Sequence, residues 1–117
     1  MSVWYKLVDK KPVAIEIEQL TDADYQKIIT NKRIGNTHLS NGIRVSTVFL
    51  CINHNFSGTG DPVLFETMAF PEDSYEEIDM DRYTTYEDAL QGHWNMVKKH
   101  GGQKPLKLSF DNDLFEI

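Results

Sequence analysis

Ser40-Asn41-Gly42-Ile43 restricts the fold of this chain more than any other stretch. Asn-Gly is the pair that best tolerates positive φ at both central positions of a type I′ turn, which holds two antiparallel strands in tight register. Arg33 to Ser40 is therefore predicted to pair with Ile43 to Asn53. In that register His38 faces Val45, Asn36 faces Thr47 and Ile34 faces Phe49 on one side of the sheet. Val48, Leu50 and Ile52 point to the other side. A strand that is apolar on both faces must be covered on both. The two helices predicted below can cover one face, so either the C-terminal tail or another subunit covers the second. A homo-oligomer is expected.

The flanking segments extend this pattern. Val3 to Val8 reads as a strand that stops at Asp9-Lys10-Lys11-Pro12. Val13, Ile15 and Ile17 alternate with Ala14, Glu16 and Glu18, which is either a half-buried strand or an irregular lead into a helix. That helix is predicted to begin at Thr21, with Asp22 and Asp24 complementing its dipole and Tyr25, Ile28 and Ile29 as its apolar stripe. Val63 to Phe70 completes an antiparallel meander after a loop from His54 to Pro62. Glu72 to Asp81 carries six carboxylates and reads as a solvated connector. Thr84 and Glu87 fit a capping box at the start of a second helix through Ala89, Leu90, His93, Met96 and Val97. It ends at Lys98-Lys99-His100 before Gly101-Gly102. The tail, residues 103–117, alternates at Leu106, Leu108 and Phe110 and is a candidate edge strand. The fold class is α+β, a single domain over residues 1–117: an antiparallel sheet of four to five strands packed with two helices.

Composition excludes several functions. The 117 residues carry 12 basic and 18 acidic side chains, a formal charge of -6. Broad binding to nucleic acid or anionic membranes requires a basic surface instead. The longest apolar run, Val48 to Ile52, is far short of the ~20 residues that cross a bilayer. The start, Met1 to Lys6, has no basic region leading into a long apolar stretch, so a reducing cytoplasm is expected. One cysteine, Cys51, precludes an internal disulfide and sits among Phe49, Leu50 and Ile52 as a small core residue. His38, His54, His93 and His100 lack close metal spacing, and no metal or cofactor is expected. Ser57 does not sit in a Gly-x-Ser-x-Gly elbow, so the chain fits an enzyme poorly.

One loop has the composition of a ligand site. In His54-Asn55-Phe56-Ser57-Gly58-Thr59-Gly60 the glycines permit close backbone approach, and the amides and hydroxyls suit phosphate oxygens. Phosphate contact is assigned to Ser57, Gly58, Thr59 and Arg82, and base contact to Phe56, His54 and Tyr83. The alternative is a hairpin loop that is rich in turn residues and binds nothing. Glu66 lies mid-strand and needs a partner, either Arg44 across the sheet or a ligand. Glu66 and His93 complete the candidate set as a second possible location, at a subunit interface.

Val45-Ser46-Thr47-Val48-Phe49-Leu50-Cys51-Ile52-Asn53-His54-Asn55-Phe56 and Leu64-Phe65-Glu66-Thr67-Met68-Ala69-Phe70 form a recognisable pattern. Trp4-Tyr5, Lys11-Pro12-Val13, Arg82-Tyr83-Thr84-Thr85-Tyr86-Glu87-Asp88-Ala89 and Gly92-His93 add to it. From Trp4 to about Val97 the chain resembles a widespread family of short proteins encoded by tailed bacteriophages. Its members usually have glycine at the position of Cys51, in line with a packing role. No common chemistry is established for that family. The resemblance implies a viral origin and work in the host cytoplasm of an infected bacterium. Small phage proteins often counter host defence. The expected function is non-catalytic sequestration of a nucleotide-derived immune signal. The alternative is inhibition of a host defence protein, with the acidic run as a decoy for a basic groove.

Overall fold

The computed structural model describes residues 3–30 and 32–103. A two-stranded hairpin, β1 (Val3–Val8) and β2 (Lys11–Glu16), is followed by helix α1 (Asp22–Thr30). Strands β3 (Arg33–His38), β4 (Arg44–Phe49), β5 (Phe65–Phe70) and β6 (Asp79–Tyr83) precede helix α2 (Tyr86–Lys99). The last four strands form one antiparallel meander in the order β3-β4-β5-β6, separate from the β1-β2 pair. The class is α+β with two helices, as expected, but six described strands in two sheets replace a single sheet of four or five. The alternation from Val13 to Ile17 belongs to a strand, β2, and ends in a short 3-10 turn at Ile17–Gln19. The candidate tail strand lies outside the described residues.

The central hairpin forms where expected, with a different turn. Gly42 N donates to Leu39 O at 3.0 Å and Leu39 N to Ile43 O at 2.8 Å. Of the Asn-Gly pair only Gly42 has positive φ, +91°. This is a three-residue connection that ends on a left-handed glycine. Asn41 is committed elsewhere: its Oδ1 accepts from Ile43 N at 3.0 Å and its Nδ2 donates to His100 O at 2.8 Å. The register therefore shifts by one residue, which turns the β3 side chains from Gly35 to His38 to the opposite face. The observed pairs are His38↔Arg44, Thr37↔Val45, Asn36↔Ser46 and Gly35↔Thr47, with a bulge between Arg33 and Gly35. A two-residue turn with both central φ positive does occur, at Asp9 and Lys10 between β1 and β2.

The register lays three rows of side chains across the face under α2. Val45 lies beside Ala69, Thr47 beside Thr67, and Phe49 beside Phe65. On β6 these rows continue to Asp79, Asp81 and Tyr83. An apolar row and an aromatic row thus flank a row of threonines, and α2 covers all three with Ala89, His93, Met96 and Val97. Tyr5 and Leu7 of β1 extend the same core, and Tyr5 N donates to Cys51 O at 2.8 Å. Helix α1 packs on β1 through a Lys6–Asp24 pair at 3.0 Å and the rings of Trp4 and Tyr25. Thr21 and Asp24 cap it reciprocally: Asp24 N donates to Thr21 Oγ1 and Thr21 N to Asp24 Oδ2.

Helix α2 starts one residue later than the capping pattern suggests. Thr85, not Thr84, is the N-cap, and its hydroxyl accepts from Asp88 N at 3.1 Å. Its end follows the expected stop signal: Gly101 N donates to Lys98 O and Gly102 N to Val97 O. The acidic connector is shorter than expected, because Asp79 to Tyr83 is an edge strand. Asp79 is not a solvated charge. It binds the Lys99 ammonium at 2.6 Å and His100 at 2.9 Å, and these contacts hold its carboxyl down at about 2. That clasp ties the start of β6 to the end of α2.

Gly92 lets α2 approach β6. A Cβ at this position would overlap the ring of Tyr83. Gly92→Ala should therefore cost about 1–3 kcal/mol through overpacking, although alanine favours helix. Urea denaturation measures this, and an unchanged or raised midpoint would contradict the packing.

Candidate functional site

The loop between β4 and β5 is built around two asparagines. Asn53 Oδ1 accepts from Asn55 N at 2.7 Å and from Val63 N at 2.8 Å. Asn55 Nδ2 donates to Thr59 O at 2.7 Å and Asp61 O at 3.0 Å, while its Oδ1 accepts from Ser57 N at 3.1 Å. Ser57 Oγ lies 2.6 Å from Asn55 Oδ1 and accepts from Thr59 N at 3.3 Å. The Ser57 amide and hydroxyl assigned to phosphate are thus engaged with Asn55, and the Thr59 amide with Ser57 Oγ. His54 donates from Nδ1 to Ile52 O at 2.7 Å. Phe56 stands out from this closed loop at 81% exposure, with its ring 5.7 Å from that of His54.

Glu66 and Arg82 are on the sheet face opposite α2. They are direct cross-strand neighbours, and Arg82 Nε donates to Glu66 Oε2 at 2.9 Å. The partner foreseen for Glu66, Arg44, instead lays its guanidinium 4.5 Å from the centre of the Phe70 ring. That expectation fails because Arg82 lies on β6, a strand whose first residues share the acidic composition of the expected connector. The Glu66 side chain is 10% exposed and that of Arg82 37%, so the pair shields a charge that would otherwise be stranded.

His93 is fully buried in the core, away from the β4–β5 loop. Thr37 Oγ1 is 2.8 Å from its Nε2 and Thr47 Oγ1 is 2.7 Å from its Nδ1. Thr47 Oγ1 meets Thr67 Oγ1 at 2.6 Å, and the Tyr83 phenol interacts with Thr67 and the Asp81 carboxylate. Burial pushes the Tyr83 phenol up, so it stays a donor. A carboxylate only accepts, so Tyr83 donates to Asp81 and receives from Thr67, which receives from Thr47. Thr47 then accepts from His93, which makes the imidazole the Nδ1–H tautomer, with Nε2 accepting from Thr37. A line of polar groups in one direction thus runs from the surface to the core.

Among the described residues, concavities open at both ends of the sheet. The larger, about 470 Å³, lies at the hairpin end of the sheet among Arg44, Glu72 and Tyr75 and contains none of the predicted ligand residues. The other, about 360 Å³, lies at the start of α2 and brings Arg82 and Tyr83 together with Thr84. Its helix wall is Asp88, Gln91 and Asn95, and Gln91 Nε2 donates to Asn95 Oδ1 at 3.0 Å. Val63, the far foot of the Asn55-centred loop, also borders it. Two of the predicted ligand residues meet here, beside amides that sequence reasoning missed. Their one signal was the i, i+4 spacing of Gln91 and Asn95. Among the described residues no helix is long and apolar enough to cross a membrane. Comparison with known protein families, curated proteins and solved structures finds no match to this chain.

The imidazole sets the acid response. Burial pushes the His93 pKa down to about 4 from an ordinary 6.5. The unfolded chain therefore binds a proton that the folded one refuses, and stability should fall as pH drops from about 6.5 to about 4. The shift corresponds to roughly 3 kcal/mol. Denaturant melts across this window measure it, and a flat profile would show that His93 is not held neutral. Nitrogen-15 shifts of the ring should show a proton on Nδ1, and a proton on Nε2 would reverse the assigned direction of the chain.

Proposed function

We propose that this protein is a non-catalytic binder of a nucleotide-type ligand, a phage accessory protein that sequesters an immune signal in the host cytoplasm. The observation behind this reading is the concavity at the start of α2. It joins a guanidinium, a protonated phenol, a hydroxyl and two amides in a volume that suits a small ligand. Arg82 serves the phosphate, the Thr84 hydroxyl its neighbouring oxygens, and the Tyr83 ring the base. His54 and Phe56 stand on the loop whose foot, Val63, borders the same hollow, with the Phe56 ring presented for stacking. Because Asn55 already organises the loop, little ordering cost accompanies binding. Ser57, Gly58, Thr59 and Gly60 support this presentation more than they cradle the anion. Self-association through the sheet face opposite α2, where Val48 and Met68 are partly exposed, belongs to the same reading.

A specific observation favours a second reading, inhibition of a host protein. Tyr75 is 91% exposed and Ile78 53%, on either side of the exposed carboxylates Glu76 and Glu77. Apolar anchors ringed by acids suit a basic protein groove. Glu76→Ser with Glu77→Ser and Tyr75→Ser separates the two. Loss of anti-defence activity with ligand binding intact would favour the inhibitor.

Thermal-shift screening against cyclic nucleotides and ADP-ribose derivatives, followed by titration calorimetry, tests the main reading. Phe56→Ala should weaken binding by about one order of magnitude, since stacking contributes roughly 1–3 kcal/mol per base. Asn95→Asp, on an exposed helix position, should also weaken it by adding a charge to the wall. Unchanged affinity in both variants would move the site elsewhere.

A further inference from the structure

The charge inventory of the same concavity restricts what it can hold. Asp81 and Asp88 both line it, against a single guanidinium, Arg82. That guanidinium already donates from Nε to Glu66. Three carboxylates and one cation leave the cluster two negative charges in excess, on a chain of net charge -6. The amide pair is neutral: Gln91 Nε2 gives one of its two protons to Asn95 Oδ1, which leaves the Gln91 carbonyl oxygen as an acceptor and the remaining amide protons as donors. The walls are therefore rich in anionic acceptors, with side-chain donors at Arg82, Thr84, Gln91 and Asn95 and only one of them, Arg82, cationic.

Resting on the nucleotide reading above, we infer that the ligand is a nucleotide of low charge, with one phosphomonoester or phosphodiester group. Its phosphate lies at Arg82, and its sugar hydroxyls or base amino group donate to Asp81 and Asp88. Each additional phosphate would bring further negative charge near two carboxylates with no second cation to receive it. At surface separations of several ångströms this lowers affinity by about fivefold per phosphate. Asp88 carries the discrimination on the helix side. It is exposed, and its backbone amide, not its carboxylate, meets the Thr85 cap.

The test is calorimetry with 3′,5′-cyclic AMP and the mono-, di- and triphosphates of adenosine and guanosine, on the wild type and Asp88→Asn. Affinity should fall from the cyclic and monophosphate forms to the triphosphates, and Asp88→Asn should flatten that decline. Affinity that rises with phosphate number would overturn the low-charge assignment and leave the nucleotide reading standing. An undiminished decline in Asp88→Asn would remove Asp88 from the site and overturn its role. Binding by none of these nucleotides would overturn the inference, and absence of binding to ADP-ribose as well would defeat the reading beneath it.

Discussion

A buried imidazole needs both nitrogens satisfied, and in this protein that requirement fixes the arrangement of four elements at once. Thr37 on β3 meets one nitrogen of His93, Thr47 on β4 meets the other, and Thr67 on β5 supports Thr47. All three hydroxyls must lie on the face under α2. They do so only in the observed register, because a one-residue slip of any strand would remove its threonine. Apolar rows on either side supply burial, which tolerates approximate fits. The threonine row does not, since an unpaired buried nitrogen costs about 1–3 kcal/mol. Burial thus favours a collapsed sheet and helix, and the polar row selects one pairing among several similar ones.

Two links, one at the middle of α2 and one at its C-terminal end, hold it in place over that row. Gly92 lets the helix sit close to Tyr83, and the Asp79 carboxylate binds its last turn through Lys99 and His100. β6 is the strand that both links share. It also carries Arg82 to Glu66 on the other face and lines the concavity with Asp81, Arg82 and Tyr83. The candidate site is therefore an outgrowth of the contacts that dock the helix. A ligand there would sit against residues whose positions the core has already fixed, which is the condition for recognition without large rearrangement.

The sequence was most informative where local chemistry decides. Thr21 caps α1, cations and glycines end α2, and the Asn-Gly turn marks the central hairpin. It was least informative where competing contacts decide. Asn41 has the right identity for positive φ, yet its side chain is drawn to Ile43 N and His100 O, so the turn lengthens and the register slips. Asp79 and Asp81 looked like solvent charges because their partners, Lys99, His100 and Tyr83, come from a helix and the strand's own far end. With β6 hidden, the Glu66–Arg82 pair could not be found. His93 drew notice as a titratable group on a helix face, but only the threonine row makes clear that its work is internal. Asn53 and Asn55 were legible as loop residues; their role as pillars emerges only once the loop closes on itself.

The two edges of the four-stranded sheet are unequal to a wandering strand. β6 places Asp79, Asp81 and Arg82 within five residues, so an incoming chain would have to strip water from charges before it gained a single backbone bond. β3 offers Arg33, a bulge at Gly35 and His38, which bend the ladder away from a flat template. Neither rim invites the edge-on stacking that ends in fibrils.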